Sequence, residues 1–159
     1  MKRLSILAIL LVLLIPAMAF SVGTGTYTTS YNSTWDRQSD LAKNKVLVVS
    51  IKDDTAGTTV ALSETDVLGY WLCSMETDPG TTEPTDDYDI VINSAGGADL
   101  LGGAGANRDK TNTEVAYPTI DSTTGQKGCV PVNSALSLVL SGNSVNNATV
   151  AIKLMFVRP

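Results

Sequence analysis

Three runs of the chain alternate apolar and polar residues with a period of two, and this pattern restricts the fold more than any other feature. LSLVLS (136–141) sets Leu136, Leu138 and Leu140 against Ser137 and Ser141. TVAIKLMFV (149–157) aligns Val150, Ile152, Leu154 and Phe156, and YDIVIN (88–93) aligns Tyr88, Ile90 and Ile92. Successive strand side chains point to opposite faces, so each run predicts a half-buried strand. KVLVVSIKD (45–53) is apolar on both faces, as expected of a strand in a sandwich core. The turn Asp54-Thr55-Ala56-Gly57 leads into TTVALS (58–63), which suggests a hairpin of the two runs. VLGYWLCSME (67–76) reads as a further strand, and TYTTSYNSTW (26–35) as an edge strand or an extended arm. DPGTTEPTDD (78–87) is a loop punctuated by Pro79, Gly80 and Pro84. Several short strands separated by turn signals predict an all-β fold, an antiparallel β-sandwich of jelly-roll or Ig-like type over residues 45–159.

Ahead of that domain lie two other segments. Residues 20–44 form a Thr- and Ser-rich extended stretch. Residues 1–19 have the parts of a signal peptide: basic Lys2 and Arg3, an apolar helix-forming run from Leu4 to Ile15, and the small-x-small sequence Ala17-Met18-Ala19. The apolar run is short for a spanning helix, so the expectation is a secreted or virion-borne chain with no membrane association after cleavage. An uncleaved N-terminal arm is the alternative. Two cysteines, Cys73 and Cys129, in an exported chain predict a disulfide, against the alternative of two buried thiols.

Composition removes several function classes. The chain has no histidine, which excludes Ser-His-Asp and Cys-His hydrolases and histidine-ligated zinc. It has 16 acidic and 11 basic residues, and the basic ones are scattered, which argues against a nucleic-acid partner.

The remaining candidate sites are loops. The stretch DIVINSAGGADLLGGAGANRDKTNTE (89–114) runs from a strand through two glycine clusters, an arrangement that phosphate-binding loops share. Gly103 and Gly105 have the first spacing of a dinucleotide loop, but position 108 is arginine, no amphipathic helix follows, and Asp99 and Asp109 flank Arg108 and Lys110. The expectation is that Gly96 and Gly97 supply positive φ in a strand-ending turn. Gly102, Gly103 and Gly105 would then let a second loop pass close to the sheet. Asp78, Glu83, Asp86, Asp87 and Asp89 are weak calcium candidates, rich in oxygen but ordered by no EF-hand spacing. No nucleophile, base or carboxylate pair stands out, so no catalytic residue and no cofactor is expected. Trp35, Tyr70, Trp71, Tyr88 and Phe156 would line a carbohydrate platform only if exposed, and core packing is the commoner fate. Asn32-Ser33-Thr34 and Asn147-Ala148-Thr149 are N-glycosylation acceptor patterns.

Taken in order, PTDDYDIVI (84–92), GGADLLGGAGANRDKTNTE (96–114) and PVNSALSLVLSGNSVNNATVAIKL (131–154) resemble small all-β virion structural proteins of tailed bacteriophages and prophages. The likeness spans about Lys45 to Val157. It implies a non-enzymatic head-decoration or tail-associated component that assembles through β edges and loops, partnered by itself or by capsid and tail proteins. It brings no catalytic residues with it. An exported bacterial or archaeal surface or filament subunit, or an extracellular binding module for carbohydrate or calcium, is the alternative.

Overall fold

The structure, a computed structural model, describes residues 24–31, 44–54, 57–62 and 67–159. The expected signal helix, Asn32 and Trp35 lie outside the described residues. Eleven strands are present among the described residues: β1 (Thr24–Tyr31), β2 (Asn44–Asp53), β3 (Thr58–Leu62), β4 (Trp71–Pro79), β5 (Asp89–Ser94), β6 (Glu114–Ala116), β7 (Thr119–Asp121), β8 (Gln126–Lys127), β9 (Val130–Pro131), β10 (Leu136–Ser141) and β11 (Ala148–Val157). The larger sheet runs β1-β2-β11-β4-β6, with β9 also on β4, and the smaller runs β3-β10-β5. Every pairing is antiparallel.

The alternating runs become strands because each can turn one row of side chains inward. Leu47, Val49 and Ile51 of β2 and Val150, Ile152, Leu154 and Phe156 of β11 are buried on the larger sheet. Ile90 and Ile92 of β5 and Leu136, Leu138 and Leu140 of β10 are buried on the smaller one. All of these belong to one cluster, so the two sheets share a single core. Each such side chain stabilises the fold by roughly 1.5–3 kcal/mol.

The expected hairpin between residues 45–53 and 58–63 does not form. β2 pairs with β1 and β11, whereas β3 pairs with β10 in the other sheet. Both runs bury one face, and the turn closed by Gly57 N donating to Asp54 O carries the chain across the core instead of back along β2. The strand expected over 67–76 begins only at Trp71, because Val67 O accepts from Tyr70 N in a turn. Of the N-terminal run, Thr24–Tyr31 is a strand on the edge of the larger sheet. Gly25 lies opposite Ile51 on the inner face, and a Cβ there would stand 2.0 Å from Val60 Cγ2, so its bareness lets β3 approach β1.

The region from Glu114 to Pro131 holds four short strands, of which β6 and β9 pair with β4 while β7 and β8 pair with each other. β9 pairs with Trp71 and Leu72, and β6 with Met75 to Thr77. Between them the register of β4 against β11 slips at Cys73, the extra residue of a bulge. Cys73 is bonded there to Cys129, the residue before β9, with Cα atoms 4.2 Å apart. The expected disulfide is therefore present, and it pins the β9 segment to the bulge.

A buried polar knot ties the far loops together. Asn143 Nδ2 donates to Asp53 Oδ2 at 3.0 Å and Val145 O at 2.8 Å, and its Oδ1 accepts from Thr85 N at 3.0 Å. Thr58 Oγ1 completes the set by donating to Asp53 Oδ1. Asn143→Ala leaves a buried aspartate short of a donor and should cost about 2 kcal/mol. Chemical denaturation of the variant checks this, and a loss under about 0.5 kcal/mol would contradict the role.

Candidate functional site

The glycine-rich stretch turns back onto the strand that precedes it. β5 uses one edge for β10, and residues 98–108 take the other. Ser94 N donates to Ala98 O (2.9 Å), Leu100 N to Ile92 O (2.7 Å), Ile90 N to Gly105 O (2.9 Å), and Arg108 N to Tyr88 O (2.8 Å). Asp87 N returns the last contact by donating to Arg108 O at 3.1 Å. Edge strands expose unpaired backbone groups that template aggregation. Here the chain closes that edge with its own loop.

Gly105 makes the closure possible, and Gly102 lets the same loop pass close to β7. A Cβ on Gly105 would stand 2.0 Å from Ile90 O, and one on Gly102 would stand 2.3 Å from Thr119 O. Gly97 takes the positive φ expected of the strand-ending turn (82°), but Gly96 does not. Gly103 has φ 81° with open space around it, so it serves the turn rather than the approach.

The donors that would cradle a phosphate are already used. Leu101 N and Gly103 N both point at Asp99, donating to Oδ1 at 2.9 Å and Oδ2 at 2.7 Å. Asp109 likewise accepts from Thr111 N and Asn112 N, at 2.7 and 2.8 Å. The hydrogen bonds from Asn112 and Thr111 hold the Asp109 carboxyl far below the usual carboxylate range. Those from Thr124 and Thr123 lower Asp121 in the β7–β8 turn. Arg108 does not face outward to meet an anion. Its side chain is 13% exposed and its Nε lies 3.6 Å from Glu114 Oε2.

Arg108 borders a small buried polar group with Tyr88 and Thr77, between the two sheets. Tyr88 is fully buried. Burial pushes its hydroxyl above the ordinary tyrosine value, while Thr77 and Arg108 pull it back in part. The raised value has a testable sign. The unfolded chain loses the phenolic proton near pH 10 while the folded one keeps it, so stability is present below pH 10 and declines above it. Tyr88→Phe should abolish that share of the alkaline loss. An unchanged slope of stability against pH in the variant would contradict it.

The calcium candidates do not converge. Asp78 Oδ1 accepts from Thr113 Oγ1 at 2.8 Å, Asp89 Oδ1 from Asn107 N at 2.9 Å, and Asp86 Oδ1 from Lys110 N at 3.4 Å. Asp87 sits at φ 61° and Glu83 is exposed. Among the described residues no three His, Cys, Asp or Glu side chains gather as a metal would require.

Of the aromatic candidates, Tyr88 and Phe156 are buried in the core. Tyr70 is also buried, with Lys45 Nζ 4.5 Å from its ring centroid. Trp71 is 38% exposed, on the outer face of the larger sheet with Met155 and Val115. An exposed ion pair, Lys153 Nζ to Glu76 Oε1, crosses the same face at 2.5 Å. Toward the other end lies an open groove of about 350 Å³, lined by Thr24, Thr26, Ser50, Lys52, Asp78 and Thr149 among others. Among the described residues no aromatic ring lines it. Asn147 is exposed at φ 60° in the β10–β11 turn.

Sequence reasoning missed Asn143 and Asp99 as organisers. The first was visible only as a turn residue, and the second only as a negative charge unfavourable to phosphate.

No family model and no curated protein matches the chain. Among solved structures it is similar to the cyanophage Pam1 capsid asymmetric unit, with 16% identity and a TM-score of 0.39 over 99% of this chain and 94% of that one. It is also similar to the CBM22-1 xylan-binding domain of Paenibacillus barcinonensis Xyn10C, with 13% identity and a TM-score of 0.36 over 87% and 86%. A second xylan-binding domain of CBM 22 gives 13% identity and a TM-score of 0.35 over 88% and 90%. What the chain itself displays is an all-β arrangement of antiparallel sheets, one of whose edges is closed by the glycine-rich segment.

Proposed function

We propose that the chain is a non-enzymatic structural component of a phage-type particle, a head-decoration or tail-associated protein built on a jelly-roll or Ig-like sandwich. One observation carries this reading. The residues on which the likeness to virion proteins rests are used to build the fold. Gly105 packs on the Ile90 carbonyl, Arg108 is turned inward beside Glu114, and Asp99 fills its own turn. Residues spent in this way support a shaped surface, and the likeness supplies the setting in which such a surface is used.

An exported surface or filament subunit is the second reading, favoured by the Cys73–Cys129 bridge. Structural disulfides belong to oxidising compartments. Mass spectrometry of density-purified virions from the encoding strain separates the two. The first reading expects the chain in the particles, in fixed ratio to the capsid protein and with Met1 at its N-terminus. Recovery from culture supernatant alone, beginning near Phe20, would overturn it in favour of the second.

A further inference from the structure

The sandwich has two sides, and the chain treats them differently. On one side β5 is closed by residues 98–108, and β4 by β6, β9 and the disulfide. On the other side lie β1 and, packed near it, β3. Among the described residues no strand pairs with the outer edge of either. β1 is the more complete template, with all eight of its residues in unbroken register against β2. Its sequence, TGTYTTSY, has no proline, lysine or other charge, the devices that usually blunt an edge.

We propose that the outer edge of β1 is a self-association surface, paired antiparallel with β1 of a second copy so that the larger sheets of the two copies become continuous. The proposal rests on the structural reading above and names the surface it would use. Backbone chemistry limits the occupant to an extended strand, because only a strand satisfies a row of alternating N–H and C=O groups. Charge does not oppose the identical strand. The chain carries more acidic than basic residues, yet β1 carries neither, so twofold pairing brings no like charges together. An antiparallel pairing of one strand with itself is also self-complementary, as a closed dimer requires.

The test uses the full-length chain and two adjacent substitutions, Thr28→Pro and Thr29→Pro. Neighbouring residues of a strand send their N–H groups to opposite sides. One substitution therefore removes a donor from the outer edge and leaves the β1–β2 ladder intact, while the other removes a donor to β2. Light scattering across a concentration series should show a dimer for the natural chain. One proline variant should weaken that dimer on the order of 100-fold with its Tm little changed, because symmetry removes the bond twice at about tenfold each. The other should lower Tm. A dimer that survives both prolines would overturn the β1 edge and leave the structural reading intact. A chain monomeric at every concentration would also overturn it, and the virion measurement would still decide the structural reading independently.

Discussion

Gly105→Ala will destabilise the protein by about 3–4 kcal/mol, although it adds a single methyl group. The Cβ would stand 2.0 Å from Ile90 O and 2.9 Å from Leu101 Cδ1. The first neighbour is strand backbone near the start of β5 and cannot rotate aside. Relief requires the loop to lift, which breaks the bond from Ile90 N to Gly105 O and strands a donor beside the core. On a domain of this size the loss corresponds to a fall in Tm on the order of 10 °C. Two neighbouring glycines serve as controls. Gly103→Ala meets open space but holds φ 81°, so it should cost only about 1 kcal/mol. Gly96→Ala has an ordinary φ and its nearest neighbour is Ser94 Oγ at 3.9 Å, so its effect should be near zero. Thermal melts of the three variants check the ranking. A phosphate-binding loop would give a different pattern, with ligand affinity lost and Tm kept.

Removing the disulfide will have an effect of similar size by a different route. Cys73 and Cys129 are separated by 56 residues, so the bridge constrains much of the unfolded chain. For a loop of that length the entropic stabilisation is about 4 kcal/mol. The Cys73→Ser, Cys129→Ser double variant should lose about that much, with a fall in Tm on the order of 10 °C. Local effects add to it, because the bond anchors β9 at the β4 bulge. Denaturant titration is the check. A loss under about 1 kcal/mol would mean that the unfolded chain is already held compact without the bond.

The strands with strict alternation were legible because burial enforces period two. LSLVLS is β10 residue for residue, and the inward rows of β5 and β11 are those the sequence lines up. Partners were less legible than faces. Residues 45–53 read as apolar on both faces, whereas β2 buries one row that includes Leu47, Val49 and Ile51, and neither run says that β2 and β3 turn their buried rows toward each other from opposite sheets. β6 to β9 are only two or three residues long, too short to show a period, and are held by neighbours distant in sequence.

The glycine-rich stretch was half legible. Its missing lysine and helix argued against a phosphate cradle, and its glycines argued for close approach. That the approach is to the edge of its own preceding strand depends on where Gly105 and Arg108 fall along β5, which spacing alone does not fix. Asp99 shows the same limit. In the sequence it is a charge beside glycines, and in the fold it is the anion that its own turn binds.

Residues 98–108 are a permanent part of the smaller sheet's edge, and native-state amide exchange tests this. The N–H groups of Ile90, Leu100 and Arg108 should be protected nearly as well as those of β10, opening only with global unfolding. Exchange at the rate of a free surface loop, with β10 still protected, would contradict the account and return the segment to the class of mobile ligand-binding loops.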